Sequence, residues 1–178
     1  MKILIAEDDI DLTSLYKHTM ERRDHKVIVC GDGEECLNLY YEELERANSK
    51  QRYNRSKKQP FDAVILDHKM PKINGLEVAK EILAVNPNQR IIFASAFTKD
   101  TITSATNLRY IEIMQKPFRL NKLVDILEYR EIYLKLKNLK VDVDVVRALN
   151  PTHGQIKDLM NRLGIVMGRE IASSASEI

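Results

Sequence analysis

Residues Phe61 to Gly75, FDAVILDHKMPKING, hold an apolar run, Ala63-Val64-Ile65-Leu66, that ends in one carboxylate, Asp67. So apolar a run suits a strand covered on both faces, as in a parallel sheet. A turn through Met70-Pro71 follows, then Asn74-Gly75 and an amphipathic helix over Gly75–Val85. Leu76, Val78, Ala79, Ile82 and Leu83 form the inner side of that helix, and Pro87 ends it. In open α/β sheets, chemistry collects outside the carboxyl ends of the strands. Asp67 stands at such an end and is the expected acceptor of a phosphoryl group.

The same alternation extends in both directions. Lys2–Ala6 (KILIA) is a buried-strand pattern ending in Glu7-Asp8-Asp9, and a helix follows to about Arg23, with Leu12, Leu15, Tyr16 and Thr19 at helical spacing. Lys26–Cys30 is the second strand, Gly31-Asp32-Gly33 its turn, and the next helix carries Cys36, Leu37, Tyr40, Tyr41 and Leu44 on one side. Ile91–Phe93 begins a fourth strand that terminates in Ser95, and a polar helix is expected over about Asp100–Asn107. Tyr110–Met114 is the fifth strand, followed by Gln115-Lys116-Pro117-Phe118 and a last helix from near Leu120. Five strands alternating with five helices predict an α/β body with a parallel sheet and right-handed crossovers. Residues 45–60, ERANSKQRYNRSKKQP, form a basic insertion before the third strand. It reads as a helix running past the body into a solvated loop, with a phosphate- or partner-binding patch as the sharper alternative.

A chain of 178 residues is one ordinary domain plus a remainder. Its 44% hydrophobic and 30% charged content is that of a globular protein, and a net charge of +2 gives no global pull toward nucleic acid or membrane. Cys30 and Cys36 fit neither a disulfide framework nor a zinc site, and Cys30 reads as a small buried hydrophobe. The opening MKILIAEDD has too short an apolar run for a signal peptide, and no run of about 18 apolar residues exists to span a bilayer. The expected location is the cytoplasm.

In a parallel sheet the strand ends share one edge, so Glu7, Asp8, Asp67, Ser95 and Lys116 should converge there. Three carboxylates in one small space repel each other unless a cation joins them, and a hard divalent ion such as Mg²⁺ is the natural occupant. Asp67 can act as nucleophile, since aspartyl phosphate is an established covalent intermediate. Lys116 and the Ser95 hydroxyl would then meet the oxygens of the moving group. Taken singly these residues have plainer readings: Asp8 as a helix N-cap, Asp67 as a turn residue, Ser95 as a loop hydroxyl, Lys116 as a solvated charge. The four together favour the site. His18, His25, His68 and His153 show no ligand or triad spacing.

The residues EDD after the first strand, LDHKMPKING around the third, SA after the fourth and KPF after the fifth resemble the receiver domain of two-component response regulators, over about residues 1–128. The resemblance implies a flavodoxin-like sheet in the order 2-1-3-4-5, an order for which receivers are a standard illustration. It implies that Asp67 takes phosphate from the phosphohistidine of a sensor histidine kinase or phosphotransfer protein. It further implies that Asp8 is a direct Mg²⁺ ligand, that Glu7 holds metal-bound water and that the Lys69 backbone carbonyl completes the protein ligands. Lys116-Pro117 matches a position where a cis peptide is usual, and Asp9 would be the most dispensable of the acidic run. Two departures stand out. Ile113 occupies the place of the usual aromatic switch residue, three before the lysine, and Phe97, two after Ser95, together with Lys69 flanks the route of water to the phosphoryl group. Phe97 leads to an expectation of slow self-dephosphorylation.

Residues 129–178 read as a helical extension. Tyr129, Ile132, Leu136 and Leu139 follow the 3-4-3 spacing of a coiled-coil seam over only about one and a half heptads. Packing on the chain itself is therefore preferred to a homodimer seam. Val141–Asn150 fits either a strand or a helix, and helix is preferred because Val145, Val146 and Leu149 continue the pattern. Pro151 suits a helix start, Ile156, Leu159, Met160 and Leu163 form an apolar stripe, and Gly164 suits a cap. Arg147, Lys157, Arg162 and Arg169 are matched by Asp142, Asp144, Asp158, Glu170 and Glu177, so the tail lacks the basic surface of a DNA-binding module. The expected activity is that of a phosphoacceptor switch, not an enzyme, signalling by protein–protein contact to an output partner. A transcription regulator with an atypical DNA-binding tail is the alternative. A small phosphatase is disfavoured, because no second carboxylate is placed as a general acid.

Overall fold

In the computed structural model, strands β1 (Lys2–Ala6), β2 (Lys26–Cys30), β3 (Ala63–Leu66), β4 (Ile91–Ser95) and β5 (Ile111–Gln115) form one sheet ordered β2-β1-β3-β4-β5. Every neighbouring pair is parallel. The described helices are α1 (Ile10–Glu21), α2 (Gly33–Lys50), α3 (Gly75–Val85), α4 (Leu120–Asn138) and α5 (His153–Arg162). The structure describes residues 1–50, 59–96, 111–142, 145–146, 149 and 153–164. Phe97, the helix expected at 100–107, most of the basic insertion (51–58), Pro151 and the last residues from 165 lie outside this set. The strand order is the expected flavodoxin-like one, and β1, β2, β3 and α3 have the predicted bounds.

Burial explains the strands. Ile3 to Ala6, Ala63 to Leu66 and Ile91 to Ala94 are all at most 1% exposed, so both faces of the central strands are out of water. Leu4, Ala6, Val64, Leu66, Ile91 and Phe93 share one core with Cys36, Leu37 and Tyr40 of α2 and Val78, Ala79, Ile82 and Leu83 of α3. Each large side chain removed from water in this way contributes roughly 1.5–3 kcal/mol. Both cysteines are buried free thiols. A hydrogen bond with Cys36, and then burial, drives the Cys30 thiol far above its ordinary pKa, so it behaves as the small hydrophobe expected.

Polar side chains fix where helices start. Asn74 accepts from Glu77 N (3.0 Å) ahead of α3. Asp32 accepts from Glu35 N (2.8 Å), while Glu35 Oε2 accepts from Gly31 N (3.1 Å), a reciprocal cap for α2. Ahead of α1 the cap is Asp9, not Asp8: its Oδ1 accepts from Asp11 N and Leu12 N at 2.9 and 3.1 Å. The plainer reading of Asp8 therefore belongs to its neighbour. A second polar network sits where the chain enters β3. Tyr40 Oη donates to Gln89 Oε1 and accepts from Asn86 Nδ2, both at 3.0 Å, and Gln89 Nε2 donates to the Phe61 carbonyl at 3.0 Å.

The chain divides into two compact units, Met1–Leu123 and Val124–Ile178. Within the second, Tyr129 and Leu136 are buried together with Ile156 and Met160, and Val141, Val146 and Leu159 pack against them. Two positions of the possible dimer seam are thus buried inside the unit, and Leu139 is 52% exposed. The Val146 N–H bonds to the Asp142 carbonyl and the Leu149 N–H to the Val145 carbonyl, the helical pattern preferred there. Val145 and Leu149 nevertheless face water rather than extending the apolar side, at 55% and 75% exposure. Val145 is adjacent to Val146 and so is turned about 100° around the helix, off that face, whereas the exposure of Leu149, three residues on, has no explanation in its spacing. Gly164 has φ +65 and its N–H reaches the Asn161 carbonyl (3.1 Å), as suits a residue past a helix end. No helix among the described residues is long and apolar enough to cross a membrane.

Candidate functional site

Register brings the site together. Ala6 pairs with Cys30 on one side and with Leu66 on the other, so Glu7 and Asp67 leave the sheet at one level. The ladder runs one step past the strands: Glu7 N bonds to Cys30 O (3.1 Å), Asp67 N to Ala6 O (2.9 Å) and Lys116 N to Ser95 O (2.8 Å). Sheet order 2-1-3-4-5 thereby places Glu7, Asp67, Ser95 and Lys116 along one edge.

Carboxylate oxygens of Glu7, Asp8 and Asp67 all lie within 4.8 Å of one another. The Lys116 ammonium stands 2.6 Å from Glu7 Oε2 and 3.4 Å from Asp67 Oδ1. Asp67, Lys69, Ser95, Ala96 and Lys116 line a pocket of about 240 Å³. That is smaller than the ~300–1,000 Å³ pockets that take drug-sized ligands. Burial raises the Glu7 pKa; the Lys116 hydrogen bond and charge oppose the shift, and the charges of Asp67 and Asp8 add to it. Three clustered oxygen donors, one of them buried and pushed toward its protonated form, suit a hard divalent cation.

The loop after Asp67 is held closely. A Cβ on Gly75 would lie 2.0 Å from the Asp67 carbonyl oxygen, so only glycine permits this approach of α3. Gly75 N bonds to His68 O at 3.0 Å. Further along, Lys72 Nζ pairs with Asp32 Oδ2 and Glu34 Oε2, both at 2.9 Å, tying the loop to the start of α2.

All five site side chains expected from the strand ends are therefore in one neighbourhood, and the Lys116–Pro117 peptide is cis. Ile113 is half-buried and packs against the main core. Two participants escaped the sequence reading. Thr13 Oγ1 donates to the Glu7 carbonyl at 3.1 Å, and Tyr16 stacks on Phe118 with ring centroids 5.9 Å apart. KPF marked Phe118, but no local pattern pairs it with a residue of α1.

Residues 3–128 match the family model of the response regulator receiver domain. The chain is 25% identical to the response regulator receiver protein CpdR of Brucella abortus over 128 residues, 71% of this chain and 93% of that protein. It is 28% identical to the transcriptional regulatory protein CpxR of Escherichia coli over 123 residues, 69% of this chain but 46% of that one, so it spans about half of that relative's length. Among solved structures, the non-phosphorylated HemR receiver domain of Leptospira biflexa superposes with a TM-score of 0.57 at 27% identity, covering 71% of this chain and 90% of its own. With its sheet order, its edge of acidic residues and this match over most of its length, the chain belongs to the response regulator receiver domain family.

Proposed function

We propose that Asp67 is the phosphoryl acceptor of a two-component switch, charged by the phosphohistidine of a sensor histidine kinase or phosphotransfer protein. An Asp67 oxygen forms the new bond to phosphorus as the phosphorus–nitrogen bond of the donor breaks. The departing ring nitrogen keeps the bonding pair, and a proton restores the neutral imidazole. Glu7, Asp8, Asp67 and the Lys69 backbone carbonyl would hold Mg²⁺, which when bound supplies positive charge to the phosphoryl oxygens. Lys116 neutralises the oxygen on its side, and the Ser95 hydroxyl, on the same pocket wall, donates to another. The observation that carries the reading is the Lys116 ammonium held against both Glu7 and Asp67.

Residues 1–128 act as the receiver in this reading and 129–178 as an output or docking extension, working in the cytoplasm where charged kinases present their phosphohistidine. The chain is a switch rather than a turnover enzyme, and its output is protein–protein contact. A homodimer through α4 is the lesser reading, because Tyr129 and Leu136 are already buried beside Ile156 and Met160. Intact mass after incubation with acetyl phosphate and Mg²⁺ tests the acceptor. Wild type should gain one phosphoryl group and Asp67→Ala none; uptake by Asp67→Ala, or none by wild type, overturns the assignment.

A further inference from the structure

Lys116 belongs to a short connection, for β5 ends at Gln115 and α4 starts at Leu120. Upstream it is anchored by the hydrogen bond from its N–H to the Ser95 carbonyl, 2.8 Å. Downstream, Pro117 has no N–H to donate, and Pro117 and Arg119 are exposed. The inward contact of the connection comes from Phe118, whose ring stacks on Tyr16 of α1 with centroids 5.9 Å apart and planes at 15°. Tyr16 is 3% exposed, so the stack is an interior fixture.

Tyr16 is itself in register with the acidic edge. One turn before it, Thr13 Oγ1 donates to the Glu7 carbonyl, and Asp9 caps the helix that carries both. Structure thus closes a ring: Glu7 to Thr13, Thr13 to Tyr16 along α1, Tyr16 to Phe118, and back through Lys116 to Glu7.

We infer that Tyr16 is a positioning residue for Lys116: its ring, through Phe118, holds the β5–α4 connection so that the ammonium reaches Glu7 and Asp67 together. The inference rests on the acceptor reading above. A lysine side chain has about 2 kcal/mol of rotamer entropy, so where its backbone is held decides how often the ammonium is in place. Misplacement of a transfer site by about 1 Å can cost 10²-fold in rate, and a loosened base should cost a good part of that. The ring does this, not the hydroxyl. Burial, then the nearby Glu7, Asp67 and Asp9 carboxylates, keep that hydroxyl protonated far above its ordinary pKa, so it brings no charge to the site.

Two measurements on the full chain test the inference. The first is the rate of phosphorylation by acetyl phosphate in Mg²⁺. Tyr16→Phe should stay within about twofold of wild type, while Tyr16→Leu and Phe118→Leu should each be about tenfold slower. The Leu–Leu double variant should be no slower than the worse single one, as for two residues acting through one contact. The second is the side-chain ¹⁵Nζ signal of Lys116, assigned by its loss in Lys116→Arg. It should survive Tyr16→Phe and be exchange-broadened away in both leucine variants. Wild-type speed in Tyr16→Leu, additive losses in the double variant, or an unchanged Lys116 signal would each overturn the inference. If Tyr16→Leu does not fold, Phe118→Leu, at a half-buried loop position, decides in its place. If wild type takes no phosphoryl group, the acceptor reading fails, and the Lys116 signal alone then decides whether Tyr16 positions it.

Discussion

The Lys116 ammonium lies 2.6 Å from Glu7 Oε2, across 109 residues of chain. Glu7 is 3% exposed, so its carboxylate is taken from water and given one cation in exchange. Such an arrangement is tense: like charges at Asp8 and Asp67 oppose the ionised form that Lys116 favours.

That tension has a pH sign. The folded pKa of Glu7 is raised above the ordinary 4.5, burial being the main cause. Between the two values the folded state holds the extra proton, so this group's contribution to stability falls as pH rises. Without divalent metal, Glu7→Gln should gain stability relative to wild type as pH rises from 4.5, levelling off above the folded pKa. Mg²⁺ should shrink the difference, since it binds the folded carboxylates. Urea melts across pH check this; a variant that lost stability relative to wild type as pH rose would contradict it.

Lys116→Ala should separate metal binding from transfer. Removing the ammonium leaves the carboxylates with uncompensated charge, so Mg²⁺ should bind more tightly by titration calorimetry. Phosphorylation by acetyl phosphate should slow by about 10²-fold, the usual scale for losing one charge-stabilising donor. Parallel changes in both quantities would argue against the assigned role.

Gly75→Ala should lower Tm and slow phosphorylation, because its new Cβ would meet the Asp67 carbonyl at 2.0 Å and push the acceptor loop away. Gly31→Ala is the matched control, with nothing within 4 Å of the added carbon. Thermal melts and intact-mass time courses on the pair should therefore diverge.

Tyr40→Phe should cost about 1–3 kcal/mol, since it strips the buried Gln89 Oε1 of its donor. Chemical denaturation measures the loss. Phosphoryl uptake should persist, as the network borders the start of β3 and not its acidic end.

Glu43 offers an acid-side test. Its carboxylate bonds Lys2 Nζ, and that bond, aided by Arg46, holds its pKa below the ordinary 4.5. The stabilisation is therefore complete above the unfolded value and disappears as pH falls through the folded one. Glu43→Gln should lose about 1 kcal/mol near neutrality and match wild type once the Glu43 carboxylate is protonated. Denaturation at pH 7 and in acid reads both ends.

How much of this was legible in the chain differs from element to element. Ala63–Leu66 has its predicted bounds because an unbroken apolar run has few other places to go than a sheet interior. Helix ends were less exact: α1 stops at Glu21, short of the expected Arg23, where Asp24 turns the chain at φ 60. The plainer reading of the acidic run named Asp8 as the cap of α1, whereas Asp9 fills that place, because its side chain is the one that reaches the free N–H groups of Asp11 and Leu12. In the tail, Val145 and Leu149 were counted inward from spacing alone, yet only Val146 packs there.

Sequence by itself determined the alternation of strands and helices, and that Glu7, Asp8, Asp67, Ser95 and Lys116 would meet at one sheet edge. Tertiary structure alone decided the distances among them, the choice of Asp9 as cap, and the stacking of Tyr16 on Phe118. The reason is one of range. Periodicity is written over a few residues, whereas a contact across 109 residues depends on strand order, register and helix packing settled together.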